Sequence, residues 1–186
     1  MRRALTMLAG LVVLAFAGSS LHAQEVPPDR VEAGLKIYKS RDNECDSCHA
    51  WTGNGKPADH PYGTKPDETV LEYGGNSLVA STMSREEMIM TISCGRLAGI
   101  NIMPAYRGDA WSPAYPCWGK TAAEISPNDK PLGPPSRFLS PSEIELVVDY
   151  VQPVYQGKEM TWENCRHYFD DFERICEVWR DHGVTR

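Results

Sequence analysis

Two cysteines and a histidine fall within five consecutive residues, Cys45-Asp46-Ser47-Cys48-His49. In a helical turn, residues three positions apart lie on the same face, so both thiols would point the same way. His49 follows directly, so its imidazole can take part in the same site. The fold of this chain therefore has to leave room beside this turn for a group that two thiols and one imidazole can bind.

The Cys-x-x-Cys-His spacing is typical of covalent attachment of a c-type haem. The thiols add to the vinyl groups of the porphyrin, and the histidine binds the iron. With six cysteines and five histidines in 186 residues, chance gives roughly 0.005 matches to the pattern. Zinc would need a second Cys/His pair, and a dithiol redox site would not use the histidine. The motif predicts one haem c, bound through Cys45, Cys48 and His49.

Residues 1–23 have the composition of a cleaved signal peptide. Arg2 and Arg3 precede an apolar run over residues 4–17, and small and polar residues lead to Ala23. An uncleaved anchor is the alternative, although the apolar run is short for a membrane span. We expect the mature chain to begin near Gln24 in the periplasm, with no transmembrane segment after cleavage.

Loss of the two arginines with the signal peptide would change the formal net charge from −6 to −8. An acidic chain is a poor partner for nucleic acid or anionic lipid, since both are negatively charged. Docking on a basic patch of another protein fits this charge better. About 163 residues would remain, which is enough for one domain with some elaboration.

Four further cysteines, Cys94, Cys117, Cys165 and Cys176, are present outside the motif. An even number in an exported chain predicts two disulfides, for which three pairings exist. We favour the sequence-local pairing, Cys94 with Cys117 and Cys165 with Cys176, over free thiols. The second pair requires a turn between its members, because eleven helical residues would span about 16 Å.

Helical signals run through the chain, and no segment alternates convincingly like a strand. The first helix is expected after Pro27-Pro28, with Asp29 as N-cap. Capping boxes at 84–87 and 140–143 predict two more helices, the second ending at or bending near Pro153. The tail over 161–179 also has helical spacing. Long loops join these helices, which is reasonable in an all-α fold wrapped around a large apolar cofactor.

A set of motifs in a fixed order resembles the class I (monohaem) c-type cytochromes, and within them a secreted subgroup with extra disulfides and a C-terminal Cys-x10-Cys tail. The residues that carry the resemblance are Gly34 and Tyr38, Cys45 to His49, Ser93-Cys94-Gly95-Arg96, Met103-Pro104, and Cys117-Trp118-Gly119. The resemblance implies a class I cytochrome c fold over residues 24–152, with a C-terminal helical extension over residues 153–186. It also implies that the first and last core helices cross at Gly34, against Tyr150.

The resemblance further implies that Met103, in a loop and followed by Pro104, is the distal iron ligand. A neutral, soft thioether favours ferrous iron and raises the reduction potential. The alternative is that Met103 is only a buried apolar side chain beside an open or histidine-ligated iron. The other candidates are expected to pack in the core or lie at the surface: Met83, Met88, Met90, Met160, His60, His167 and His182.

The surroundings of the haem can also be predicted. The free ring nitrogen of His49 should donate to a backbone carbonyl, in that family usually a proline's, and the candidates are Pro57, Pro61 and Pro66. Aromatic residues near the Met103 loop are expected either to cover the haem edge or simply to pack in the core. These are Trp111, Tyr115 and Trp118.

A haem with two protein ligands has no vacant position for a substrate. The sequence therefore predicts a periplasmic single-electron carrier and not an enzyme. The resemblance implies redox proteins as partners, with a quinoprotein or other periplasmic dehydrogenase as donor and a terminal oxidase or another cytochrome as acceptor. The alternatives are a haem subunit of a larger dehydrogenase complex, or a haem enzyme or sensor with an open distal site.

Overall fold

The computed structural model describes residues 25–43, 45–55, 75–96, 103–126, 131, 134–169, 176 and 177. Within these ranges the chain forms five α-helices and no β-strand, which confirms the all-α prediction. The helices are α1 (Pro28–Tyr38), α2 (Cys45–His49), α3 (Arg85–Cys94), α4 (Pro141–Val154) and α5 (Trp162–Phe169). None of the helices in the described part of the chain is long and apolar enough to cross a membrane. The predicted signal peptide lies outside the described residues.

Helix α1 begins two residues earlier than the sequence suggested. Pro27 is the N-cap, Pro28 is the first helical residue, and Asp29 lies inside the first turn. The prediction of Asp29 as N-cap is wrong because proline already has a helical φ and lacks the N–H that a cap would satisfy. The Asp29 carboxylate still favours this helix end, where the dipole is positive.

Both predicted capping boxes are present. The Ser84 and Ser140 side chains accept hydrogen bonds from the backbone N–H groups of Glu87 and Glu143, and each glutamate accepts one in return from the serine backbone. Helix α4 contains Pro153 in its last turn and ends at the next residue. Side-chain caps therefore fix where α3 and α4 start, and proline fixes where α4 stops.

Helices α1 and α4 form the most extensive helix–helix contact within the described ranges, and α3 packs more lightly on α4. A Cβ atom added to Gly34 would overlap the Leu146 carbonyl and lie 2.7 Å from the Cβ of Tyr150. The predicted contact between Gly34 and Tyr150 is therefore present. Only glycine permits this approach, because any other residue would push the two helices apart.

A buried carboxylate joins three helices. Asp149 on α4 is 3% exposed. It accepts a hydrogen bond from Arg30 Nε on α1 at 2.6 Å and a second from Arg85 at the start of α3. Because a buried charge needs partners, this arrangement fixes α1 and α3 relative to α4.

The chain after α4 packs on the same core as the helices before it. Met160, Cys165 and Phe169 are buried with α1 and α4, and the Phe169 ring meets Trp51 edge-on at 5.9 Å. Of the helix predicted over 161–179, the structure describes Trp162–Phe169 as α5; residues 170–175 lie outside the described part. The predicted extension therefore shares its apolar core with the α1–α4 pair.

Both disulfides have the predicted sequence-local pairing, Cys94 with Cys117 and Cys165 with Cys176. The first encloses the Met103 segment and the second joins α5 to the residues beyond it. A disulfide that closes a loop of this length reduces the conformational entropy of the unfolded chain. In the chain-entropy model each of the two disulfides therefore adds about 3 kcal/mol to the free energy of unfolding.

Replacing Gly34 by alanine should reduce the free energy of unfolding by about 1–3 kcal/mol, because the new methyl group separates α1 from α4. Denaturant titration measures this change. Glu32→Ala, at an exposed position of the same helix, is the matched control and should cost less than about 0.5 kcal/mol. Equal stability of Gly34→Ala and wild type would mean that the close crossing is not required.

Glu143 should give the fold a pH-dependent contribution. The hydrogen bond from the Ser140 backbone, with Arg137 beside it, lowers the pKa of Glu143 from its ordinary value near 4.5. A carboxylate whose pKa falls on folding stabilises the protein above its unfolded-state pKa, and this stability is lost as pH falls through the folded-state value.

Glu143→Gln keeps the capping oxygen but removes the charge, so it should cost about 0.5–1 kcal/mol at pH 7. The difference from wild type should shrink below about pH 4.5. Unfolding titrations at several pH values test this, with Glu145→Gln on the exposed side of α4 as control. A difference that stays constant down to strongly acid pH would contradict it.

Candidate functional site

A cavity of about 460 Å³ is enclosed by α2, α3, α4 and the loops around residues 75–83 and 103–106. Cys45, Cys48, His49 and Met103 all line it. The structure therefore brings the motif residues of α2 to the same cavity as Met103, which lies in the loop after α3. Much of the remaining wall is apolar and is formed by Leu78, Met83, Met88, Ile92, Leu139, Val147 and Val151.

His49 ends α2, and its ring is fixed by the backbone. Its Nδ1 lies 2.8 Å from the Asn76 carbonyl oxygen. Because a carbonyl can only accept, Nδ1 carries the proton and Nε2 keeps a lone pair for a ligand. A carbonyl partner was expected, but from proline; Asn76 holds this position, and Pro57, Pro61 and Pro66 lie outside the described residues.

Two glycines allow the chain to pack directly against His49. Gly75 donates its N–H to the Cys48 carbonyl at 2.6 Å, and a Cβ on Gly75 would lie 2.8 Å from His49 Nδ1. Gly55 donates to the His49 carbonyl at 3.0 Å. The last turn of α2 is thus held on one side by backbone groups of two loops.

Burial keeps the His49 imidazole neutral. It lowers the pKa of His49, the positive charge of Arg96 lowers it further, and the hydrogen bond to Asn76 acts in the opposite direction. Neutral imidazole is the form that binds metals. Near neutral pH the ring is therefore ready to act as a ligand through Nε2.

The two thiols of the motif are not in a disulfide. Burial, with the nearby Asp46 and Cys48, raises the pKa of Cys45 to about 12. Cysteines of dithiol redox enzymes have lowered pKa values, because the thiolate is the reactive species. The neutral Cys45 thiol disfavours a thioredoxin-like role for this pair.

Three methionines line the cavity, and sequence reasoning identified only one of them. Met88 is buried on α3, and Met83 lies just before that helix with its sulfur 3.8 Å from the Thr91 hydroxyl. Met103 lies in the loop, and its carbonyl accepts from the Arg96 N–H at 3.0 Å. Met90 and Met160 are not part of the wall. Helical spacing suggested core packing for Met88, which is correct, but it could not reveal that this core faces a cavity.

The Met103 loop is fixed at its base by a second, smaller core. This core consists of the Cys94–Cys117 disulfide and Trp111, whose ring N–H donates to the Cys94 carbonyl at 2.8 Å. Trp111, Tyr115 and Trp118 do not line the cavity. Of the two alternatives expected for these residues, core packing is observed for Trp111 and Tyr115, which pack around the disulfide, whereas Trp118 is half exposed.

Three buried tyrosines, Tyr38, Tyr150 and Tyr155, hold the segment that follows His49. The Tyr38 hydroxyl donates to the Ala50 carbonyl and the Tyr155 hydroxyl to the Trp51 carbonyl, each at 2.8 Å. Tyr150 and Tyr155 share a further hydrogen bond of 2.8 Å. Burial raises the pKa of all three well above the ordinary value, so they remain neutral donors.

This tyrosine cluster supports a constrained turn. Ala50 is fully buried and has φ +60°, a conformation that non-glycine residues adopt only when their surroundings hold them there. Sequence reasoning identified Tyr38 and Tyr150 as packing aromatics but missed Tyr155. No local pattern reveals that residue, because its partner lies 104 positions earlier.

Among the described residues, no group of three or more His, Cys, Asp and Glu side chains could hold a metal ion. His167 lies on the exposed side of α5 and is not part of the cavity wall; His60 and His182 lie outside the described part. Comparison of the chain with protein-family models, curated proteins and solved structures gave no match. Function is therefore inferred from the cavity and the residues around it.

Tyr155→Phe should lower the free energy of unfolding by about 1–3 kcal/mol, because the buried Trp51 carbonyl and Tyr150 hydroxyl lose this partner while packing is retained. Tyr168→Phe, at a half-buried position of α5, is the control and should cost less than about 0.5 kcal/mol. Urea titration measures both. Equal costs would show that the tyrosine hydroxyl contributes nothing to holding this turn.

Proposed function

We propose that this chain is a class I c-type cytochrome that carries single electrons in the periplasm with one covalently bound haem c. The observation that carries the proposal is the convergence of Cys45, Cys48, His49 and Met103 on one cavity. Two of these residues would attach the cofactor, and the other two would bind its iron.

The residues of the cavity fit such a group. Its volume of about 460 Å³ is within the range of small-molecule and cofactor sites. Apolar walls suit a porphyrin, and two unpaired thiols lie three residues apart at its edge. A neutral imidazole and a thioether are ligands that haem iron accepts in this class.

Bound haem would supply a one-electron Fe(III)/Fe(II) couple. His49 would bind the iron through Nε2, while the Asn76 carbonyl holds Nδ1 and keeps the ring in one orientation. Met103 would bind as the second ligand, and its soft sulfur would favour the ferrous state. The apolar wall would exclude water, which lowers the local dielectric and further tunes the potential.

Two protein ligands leave the iron no open position, which favours an electron carrier over an enzyme. Rigid ligands also favour fast transfer, because little has to move when the iron changes oxidation state. Here the ligand segments are held by Asn76 on one side and by the Cys94–Cys117 disulfide on the other.

Two disulfides are typical of proteins that mature in an oxidising compartment. This supports export, and the composition of residues 1–23 supports the periplasm as destination. The resemblance suggests a quinoprotein dehydrogenase or another periplasmic dehydrogenase as electron donor, and a terminal oxidase or another cytochrome as acceptor.

The test of the ligand set compares three methionines in the holoprotein. Oxidised wild type should have the near-infrared band of a thioether bound to ferric haem. Met103→Leu should keep haem attached, abolish the band and lower the reduction potential, because leucine fills the space without a ligand. Met83→Leu and Met88→Leu are matched controls on the same wall and should keep the band.

A band that survives in Met103→Leu but disappears in Met83→Leu or Met88→Leu would assign the ligand to that methionine and contradict the role of Met103. Rapid binding of carbon monoxide by the reduced wild type, with no near-infrared band, would contradict the carrier and indicate an open distal site.

A further inference from the structure

Among the described residues that line the cavity, Arg96 is the only lysine, arginine, aspartate or glutamate. It is half-buried, in a wall that is otherwise apolar or neutral. A guanidinium is always charged at physiological pH and is suited to bind carboxylates. The wall of this cavity therefore contains one fixed positive charge.

Backbone contacts fix the main chain of Arg96 beside the segment that contains Met103. Arg96 follows Gly95, whose φ of +69° ends α3. Its N–H donates to the Met103 carbonyl at 3.0 Å, so the residue is tied to the segment of the proposed distal ligand. Its charge also acts on His49, the proposed proximal ligand. Arg96 is therefore linked to both segments that would hold the iron.

Nothing else in the described part of the chain neutralises it: no carboxylate there lies within ion-pair distance of the Arg96 guanidinium. The other arginines of this region are paired. Arg85 bonds Asp149, and Arg107 bonds Asp109 at 2.5 Å. The cavity wall itself contains no aspartate or glutamate in the described ranges. An occupant of the cavity that contains an anionic group would therefore complement the charge of Arg96.

We propose that Arg96 binds a carboxylate of the cofactor, namely one haem propionate. This inference rests on the proposed function. A guanidinium and a carboxylate can form two parallel hydrogen bonds, which fixes orientation as well as charge. The pairing would compensate one negative charge of the cofactor. Compensation of that charge favours ferrous iron, so Arg96 raises the reduction potential.

The test uses holoprotein variants with two readouts, the reduction potential and the propionate bending mode in the resonance Raman spectrum. Arg96→Gln should lower the potential and shift the bending mode, because the propionate loses its charged partner. Arg96→Lys should retain more of the potential but still shift the mode, since an ammonium cannot form the two-pronged pair. Arg107→Gln, which removes a paired arginine outside the cavity, should change neither.

The outcomes separate this inference from the proposed function. If Arg96→Gln keeps attached haem and the near-infrared band but shows the wild-type potential and bending mode, the propionate contact is wrong and the cytochrome remains. If the wild type does not acquire haem at all, the proposed function fails. If Arg96→Gln does not acquire haem, the propionate bending mode of Arg96→Lys is compared with that of the wild type. An unshifted mode in Arg96→Lys would contradict the contact between Arg96 and the propionate.

Discussion

The close crossing of α1 and α4 is the contact on which the rest of the structure depends. Gly34 allows the two backbones to approach each other. Tyr38 on α1 and Tyr150 on α4 then pack against each other beside this contact. Their rings pack with Tyr155, and two of the three hydroxyls hold the carbonyls that follow His49. Because Gly34 has no side chain, α1 and α4 pack closely, and the tyrosines at their contact fix the position of the last turn of α2.

Predictions from the sequence were correct where the interacting residues lie close together in the chain and form a known local pattern. The capping boxes located the starts of α3 and α4, since the serine and glutamate contact each other only in a helix. Local cysteine pairing was also correct. At the start of α1, by contrast, the prediction of Asp29 as N-cap was wrong, because Pro27 holds that position and Pro28 is the first helical residue.

The residues that were not predicted contact partners far away in the sequence, and local sequence patterns do not indicate such contacts. Asn76 reaches His49 across 27 positions and Tyr155 reaches Trp51 across 104. Asp149 occurs in an otherwise apolar helix face, where its partners Arg30 and Arg85 could be recognised only after the helices had packed. Met83 and Met88 have ordinary core spacing, and only the three-dimensional arrangement places them on the cavity wall.

The central claim is that Cys45 and Cys48 attach one haem. The most direct measurement is intact-mass and peptide mass spectrometry of the mature protein from a periplasm that attaches c-type haem. We predict a mass equal to the polypeptide with its two disulfides plus one haem, and a single haem-bearing peptide that contains both motif cysteines. A mature protein without haem, with Cys45 and Cys48 as free thiols or as a third disulfide, would contradict the claim.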